Sequence, residues 1–269
     1  MFDVLEGDKQ MNSVTSQSDT TITNDRLGDG PAVILVCGGS VDRMSHAPLA
    51  DLLAKHFTVF NYDRRGRNAS GDTQPYAVER EVEDIDALVD AAGGQSYLFG
   101  SSSGAALALE AARQLPGRIT KLALWEPPYI PDGFRRPPAD TAKTFADLVA
   151  QGRRGDAAEY FMVQVVGLPQ EMADQMRASP FWASQEALAH TLTYDATIMG
   201  DYVLPVDRVA EVKIPTLVLD GGASFPFMHP TAQAIAEHLP NGQQRTLEGQ
   251  RHDFAAEAMA PVLTAFFES

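Results

Sequence analysis

Cysteine is nearly missing from this 269-residue chain: Cys37 stands alone, which excludes an internal disulfide framework and any multi-cysteine metal site. Basic residues are scarce, 21 Lys and Arg against 36 Asp and Glu. The net charge is −15 and the pI near 4.7, and no basic cluster offsets it. Such a surface repels nucleic-acid phosphates and anionic membranes, so neither is expected as a partner. No apolar run reaches the ~18 residues of a membrane span. The N-terminus lacks a basic stretch followed by an apolar one, and a cytoplasmic location is the expectation. No Gly-x-Gly-x-x-Gly follows the first apolar strand and no metal-ligand set is evident, so the expected chemistry uses neither cofactor nor metal. What remains is ordinary globular material, 44% hydrophobic with a mean hydropathy of −0.17, enough for a large core.

Two Thr-rich segments, Ser13–Gln17 and Thr20–Asn24, read as an opening hairpin. The β-branched run Ala32-Val-Ile-Leu-Val-Cys37, closed by Gly38-Gly39, reads as a strand buried on both faces. Helix and strand signals then alternate: a helix near Ser45–His56, a strand over 57–62, a helix over Val78–Ala91, a strand at Tyr97–Phe99, a helix over Ser102–Gln114 and a strand over Leu122–Trp125. Later, Thr216–Leu219 and Gln244–Leu247 supply strands, and Thr231–Leu239 and Phe254–Phe267 supply helices. This rhythm implies a mainly parallel sheet with helices on both faces. Between Pro127 and Pro205 the pattern is helical throughout. The expected organisation is a loose leader over 1–12, an α/β core over 13–126 and 206–269, and a helical cap over 127–205.

Tyr97-Leu-Phe-Gly-Ser-Ser-Ser-Gly104 ends a strand in Gly100-x-Ser102-x-Gly104 and runs straight into Ala105-Ala-Leu-Ala-Leu-Glu-Ala-Ala, a strong helix former. A serine at the apex of a strand-to-helix turn is a nucleophile elbow. The flanking glycines are needed because a β-carbon there would strike the adjacent strand or helix. A serine hydroxyl needs a base. Of six histidines, His252 follows the last strand in Gly249-Gln-Arg-His-Asp253, at the carboxyl edge where open α/β sheets place their sites. His56 and His238 end helices, His46 heads one, and nothing in the pattern demands His190 or His229. Two strand-end carboxylates could orient the imidazole, Glu126 before Pro127-Pro128 and Asp220 before Gly221-Gly222. Glu126, on the strand after the elbow helix, is preferred. The backbone amides of Ser103 and Gly39 are the expected oxyanion donors. Phe161, Met162, Phe181, Trp182, Tyr194 and Met199 are the candidate pocket lining from the cap.

Taken together, these residues resemble the α/β-hydrolase superfamily across roughly residues 20–268. Gly100-Ser-Ser-Ser-Gly104 resembles its elbow, Asp63-Arg-Arg-Gly-Arg-Asn-Ala-Ser70 its Asp-x-Arg-Gly-x-Gly-x-Ser turn, and Gly249-Gln-Arg-His252 its terminal histidine loop. Asn68 replaces a glycine of the turn, Cys37 replaces the usual histidine before the glycines, and Gly221-Gly-Ala-Ser224 has serine where members often carry the acid. The last departure favours Glu126 as a relocated acid. Ser-Ser-Gly-Ala at the elbow and Glu-x-Pro after it are also similar to zearalenone lactonases. The resemblance implies an α/β-hydrolase fold and a serine hydrolase acting on a small-molecule ester or lactone, with Ser102, His252 and Glu126 as catalytic residues. The alternatives are a binding protein on the same fold, a carbon–carbon bond hydrolase and a cofactor-free perhydrolase. A serine apex argues against dehalogenase and epoxide hydrolase chemistry, which uses aspartate there. Oligomeric state is not readable from the sequence.

Overall fold

The structure, a computed structural model, describes residues 10–269. Strands β1 (Gln10–Thr15) and β2 (Thr21–Leu27) pair antiparallel with Gln10 opposite Arg26. The expected leader is therefore corrected. Residues 1–9 lie outside the described residues, whereas 10–12 already belong to a strand, because each finds a ladder partner on β2. Next come β3 (Ala32–Val36), helix α1 (Ala47–Leu53), β4 (Thr58–Tyr62), α2 (Val78–Ala91), β5 (Ser96–Ser101), α3 (Ser103–Gln114) and β6 (Ile119–Trp125). Six helices follow: α4 (Thr141–Ala150), α5 (Arg154–Tyr160), α6 (Gln170–Arg177), α7 (Trp182–Leu188), α8 (Leu192–Met199) and α9 (Val206–Glu211). A π-helical turn over Phe161–Val166 extends α5. The chain finishes with β7 (Thr216–Gly221), α10 (Met228–His238), β8 (Gly242–Leu247) and α11 (Ala256–Glu268).

The sheet has eight strands in the order β1-β2-β4-β3-β5-β6-β7-β8, parallel from β4 onward. Alternation along the strands divides the core. Ile34, Val36, Leu122 and Leu124 pack with Val82, Ile85, Leu107 and Ile235 on one face. Val33, Leu35, Ala123 and Trp125 pack with Leu49, Leu53, Met259 and Leu263 on the other. Both faces of each central strand are covered, which is why those strands read as continuous apolar runs. Among the described residues no helix is long and apolar enough to cross a membrane.

The loop after β4 is held by charge rather than by apolar packing. Arg64, Arg65 and Arg67 are among the largest fully buried side chains. Arg65 pairs with Asp84 at 2.7 Å, Arg64 with Glu81 at 2.7 Å and with Asp195 at 2.8 Å, and Arg67 with Asp195 at 2.9 Å. Removing one partner of such a pair strands a buried charge, a loss of about 3–5 kcal/mol. Asn68 takes a φ of +44°, a left-handed conformation that asparagine tolerates where the family turn has glycine. Cys37 is a buried small residue, and its thiol is pushed up by that burial despite Arg67 and Arg64.

Candidate active site

The turn from β5 to α3 has the geometry expected of the elbow. Ser102 sits at φ +55° and ψ −129°, unfavourable for any residue with a side chain, and its N–H donates to the Trp125 carbonyl at 2.8 Å. A β-carbon on Gly100 would lie 2.4 Å from the Gly104 carbonyl oxygen, and one on Gly104 would lie 2.4 Å from those of Val36 and Cys37. Both glycines are thus required by backbone approach. Gly38 presses closest on the apex, since a β-carbon there would come 3.0 Å from Ser102 Cβ. Gly39 faces the cap instead, where an added carbon would lie 3.2 Å from Asp195 Oδ2. The first N–H groups of α3, Ser103 among them, have no partner within the helix and carry its positive end.

His252 is fixed by three contacts. Its Nδ1 lies 2.6 Å from Glu126 Oε2, its carbonyl accepts from Trp125 Nε1 at 2.9 Å, and Phe225 meets its ring edge-on at 5.9 Å. Glu126 is buried at φ +45° and has two further donors: the Gly221 amide reaches Oε1 at 2.8 Å, and the Ser224 hydroxyl reaches Oε2 at 2.8 Å. Ser224, standing where the resemblance would place an acid, donates instead to the Glu126 carboxylate at the end of the neighbouring strand. Asp220, the other candidate, turns to a different histidine. It accepts from Gln244 Nε2 at 2.5 Å and from Thr246, and faces His229 Nδ1 at 3.0 Å.

Ser102, Ser103, Gly39 and His252 border one cavity of about 390 Å³, at the carboxyl edge of the sheet. The cap is fastened to its floor at two points: Ser103 Oγ donates to Asp195 Oδ1 at 2.8 Å, and Ser40 Oγ donates to Gln185 Oε1 at 2.6 Å. Burial alone would raise the Asp195 carboxyl, but Arg67 and Arg64 overcome it and hold the group below the usual carboxylate range. Arg67 also binds the carbonyls of Gly38 and Val41, so the same cluster fixes the glycine turn.

Of the six cap residues expected to line the cavity, Phe161 and Met199 do. The other four need correction. Met162 and Trp182 pack with Ala158 and Ala173 inside the cap, and Phe181 is 51% exposed. Tyr194 stacks on Tyr76 and donates to Asp72 at 2.9 Å. Neighbouring helical residues point about 100° apart, so Phe161 and Met162 face different ways. Asp195 and Met199, one turn apart, share the cavity face that Tyr194 does not.

Other lining residues were missed. Phe225, Phe227 and Phe254 follow the ends of β7 and β8, positions that the sheet-edge rule could have flagged. His46 lies in a 3₁₀ turn after β3, buried, with Nε2 3.0 Å from Ser101 Oγ and no hydrogen-bond partner for Nδ1 among the described residues. Burial pushes its imidazole down to about 4. Among the described residues no group of His, Cys, Asp or Glu is arranged to hold a metal ion.

The description of the alpha/beta hydrolase family matches residues 33–265. The chain belongs to the alpha/beta hydrolase family. An alpha/beta hydrolase from Sphaerobacter thermophilus, known as a crystal structure, is 52% identical, with a TM-score of 0.89 over 95% of this chain and 100% of its own. N-formylmaleamate deformylase of Pseudomonas putida is 35% identical over 140 residues, 50% of this chain and 52% of that protein. This chain thus spans about half the length of that curated relative. A putative carbamate hydrolase of Caulobacter is 25% identical over 86% of this chain and 87% of its own length.

Proposed function

We propose that this chain hydrolyses a carboxylic ester or lactone through an acyl-enzyme on Ser102. The observation that carries the reading is the 2.6 Å contact of His252 Nδ1 with the buried Glu126 carboxylate, beside a cavity that also holds the elbow serine. With Nδ1–H donated to Glu126, Nε2 is left as a base. It takes the Ser102 proton as Oγ attacks the carbonyl, and then returns it to the leaving oxygen. Glu126 fixes the tautomer and stabilises the imidazolium. The Gly39 and Ser103 amides receive the oxyanion, each worth roughly 10²–10³ in rate. Water activated by the same imidazole releases the acid.

A second reading, cleavage of a formamide or carbamate carbon–nitrogen bond, rests on the names of the two curated relatives. It uses the same residues with an amine as leaving group. Aryl esters, lactones, formanilides and aryl carbamates assayed side by side separate the two. The ester reading expects esters or lactones to exceed the nitrogen analogues by at least 100-fold in kcat/KM. It also expects Ser102→Ala to reduce kcat by about 10⁴-fold or more. Ester turnover by Ser102→Ala within tenfold of wild type, or a preference for the nitrogen substrates, overturns it.

A further inference from the structure

The cavity carries information about substrate charge as well as about bond type. Its wall is aromatic and aliphatic on the cap side, through Phe161, Val165 and Met199, and again at Phe225 and Phe227. Among the described residues neither lysine nor arginine borders it. Arg64 and Arg67, which bind the lining residue Asp195, are closed off. They are at most 1% exposed and lie behind Asp195, which takes a bond from each. Arg64 also donates to Glu81 and to the Cys37 carbonyl, and Arg67 to the Gly38 and Val41 carbonyls, while Arg67 Nε is buried with no partner among the described residues. Charges in this cluster match, two guanidiniums against Asp195 and Glu81, so no unbalanced cation is offered to a ligand. What the cavity presents at that point is the Asp195 carboxylate itself. At the rim the exposed Asp253 side chain faces Arg251 Nε at 3.9 Å, so that pair adds no net charge. A net charge of −15 opposes the approach of anions at longer range.

Building on the ester reading, we infer that the substrate is an uncharged, largely apolar ester or lactone, and that a carboxylate on either its acyl or its alcohol portion is excluded. An anion entering this space would lose its water, meet no counter-charge and lie against aromatic faces and a fixed acid. Unpaired burial of a charge costs several kcal/mol. The polar groups of Ser45, Ser101 and His46 that border the cavity are uncharged or engaged with neighbours, the Ser45 hydroxyl donating to the Asp42 carbonyl and Ser101 Oγ lying 3.0 Å from His46 Nε2.

Two matched pairs of esters test this. On the acyl side, 4-nitrophenyl adipate is compared with its methyl ester. On the alcohol side, the butyrate ester of 4-hydroxybenzoate is compared with the butyrate of methyl 4-hydroxybenzoate. The expected kcat/KM ratio is about 100-fold in favour of the uncharged member of each pair. A ratio of at least tenfold in both pairs supports the inference, and less than tenfold in either overturns it. If the folded wild type turns over no member, the ester reading fails on its own. The charge inference is then decided by calorimetric binding of the same four compounds to Ser102→Ala, with the same tenfold criterion on Kd. Absence of binding by both uncharged members at millimolar concentration counts against it.

Discussion

Replacing Glu126 by glutamine tests the acid while leaving shape almost unchanged. The carboxylate has two oxygens and three donors: His252 Nδ1 and the Ser224 hydroxyl on Oε2, and the Gly221 amide on Oε1. A glutamine can enter in two ways. With its NH₂ at the Oε1 position it faces the Gly221 N–H, leaving buried donors opposed at a cost of about 1–3 kcal/mol. With its NH₂ at the Oε2 position, Gly221 keeps its acceptor and the Ser224 hydroxyl rotates to accept. His252 Nδ1 must then accept as well. The second arrangement satisfies every group and wins, but it puts the imidazole proton on Nε2, where a base is needed. The expected result is a fall in kcat of about 10⁴-fold with a change in stability under ~1 kcal/mol, because the protein keeps its hydrogen bonds and loses only the tautomer. Aryl ester turnover and thermal melting measure the two quantities. Asp220→Asn, whose partners are Gln244, Thr246 and His229, should stay within tenfold of wild type. A Glu126→Gln protein within tenfold of wild type, or an inactive, folded Asp220→Asn protein, would refute the reasoning.

Gly104→Ala should lower the melting temperature by on the order of 6–10 °C, about 3 kcal/mol, since its β-carbon meets two strand carbonyls at 2.4 Å and neither can retreat. An unchanged melting temperature contradicts the stated contact. His46 makes stability pH-dependent. Its folded value of about 4 lies below the ordinary 6.5, so the unfolded chain takes up a proton first and stability falls as pH drops from 6.5 to about 4, by about 3 kcal/mol. His46→Gln should remove that part of the slope in urea titrations at pH 7 and pH 4.5, and identical slopes would disprove it. Phe161→Ala should raise KM for an aryl ester by about fivefold or more, whereas Tyr194→Phe should leave kcat/KM within about threefold. The reverse pattern would move the cavity wall.

The layout of the core was legible because its signals are local and redundant. Val33–Val36 alternate between two buried faces and therefore show no polar position, and the acids of α2 leave a clear stripe at Val82, Ile85, Leu88 and Val89. Gly100 and Gly104 advertise the elbow because no other residue fits between β5, α3 and β3. The preference for Glu126 rests on the serine at 224 and the double proline after β6, and in the structure Ser224 donates a hydrogen bond to Glu126. The cap resisted. An apolar residue on a short helix can fill the cap's own interior, as Trp182 and Met162 do, or face the cavity, as Phe161 does, and composition is the same in either case. Asp195 looks like any helical acid until Arg64 and Arg67, more than a hundred residues away in sequence, are found beneath it. In the sequence His46 only heads a helix, and the structure adds that it is buried and borders the cavity.

The proposed chemistry depends on an activated nucleophilic hydroxyl at position 102. Incubation with an alkyl fluorophosphonate, followed by intact-mass and peptide analysis, tests it most directly. One adduct per chain is expected, on Ser102, formed by wild type and abolished in folded Ser102→Ala and Glu126→Gln proteins. No adduct on folded wild type, or an adduct on another residue that persists in Ser102→Ala, would contradict it.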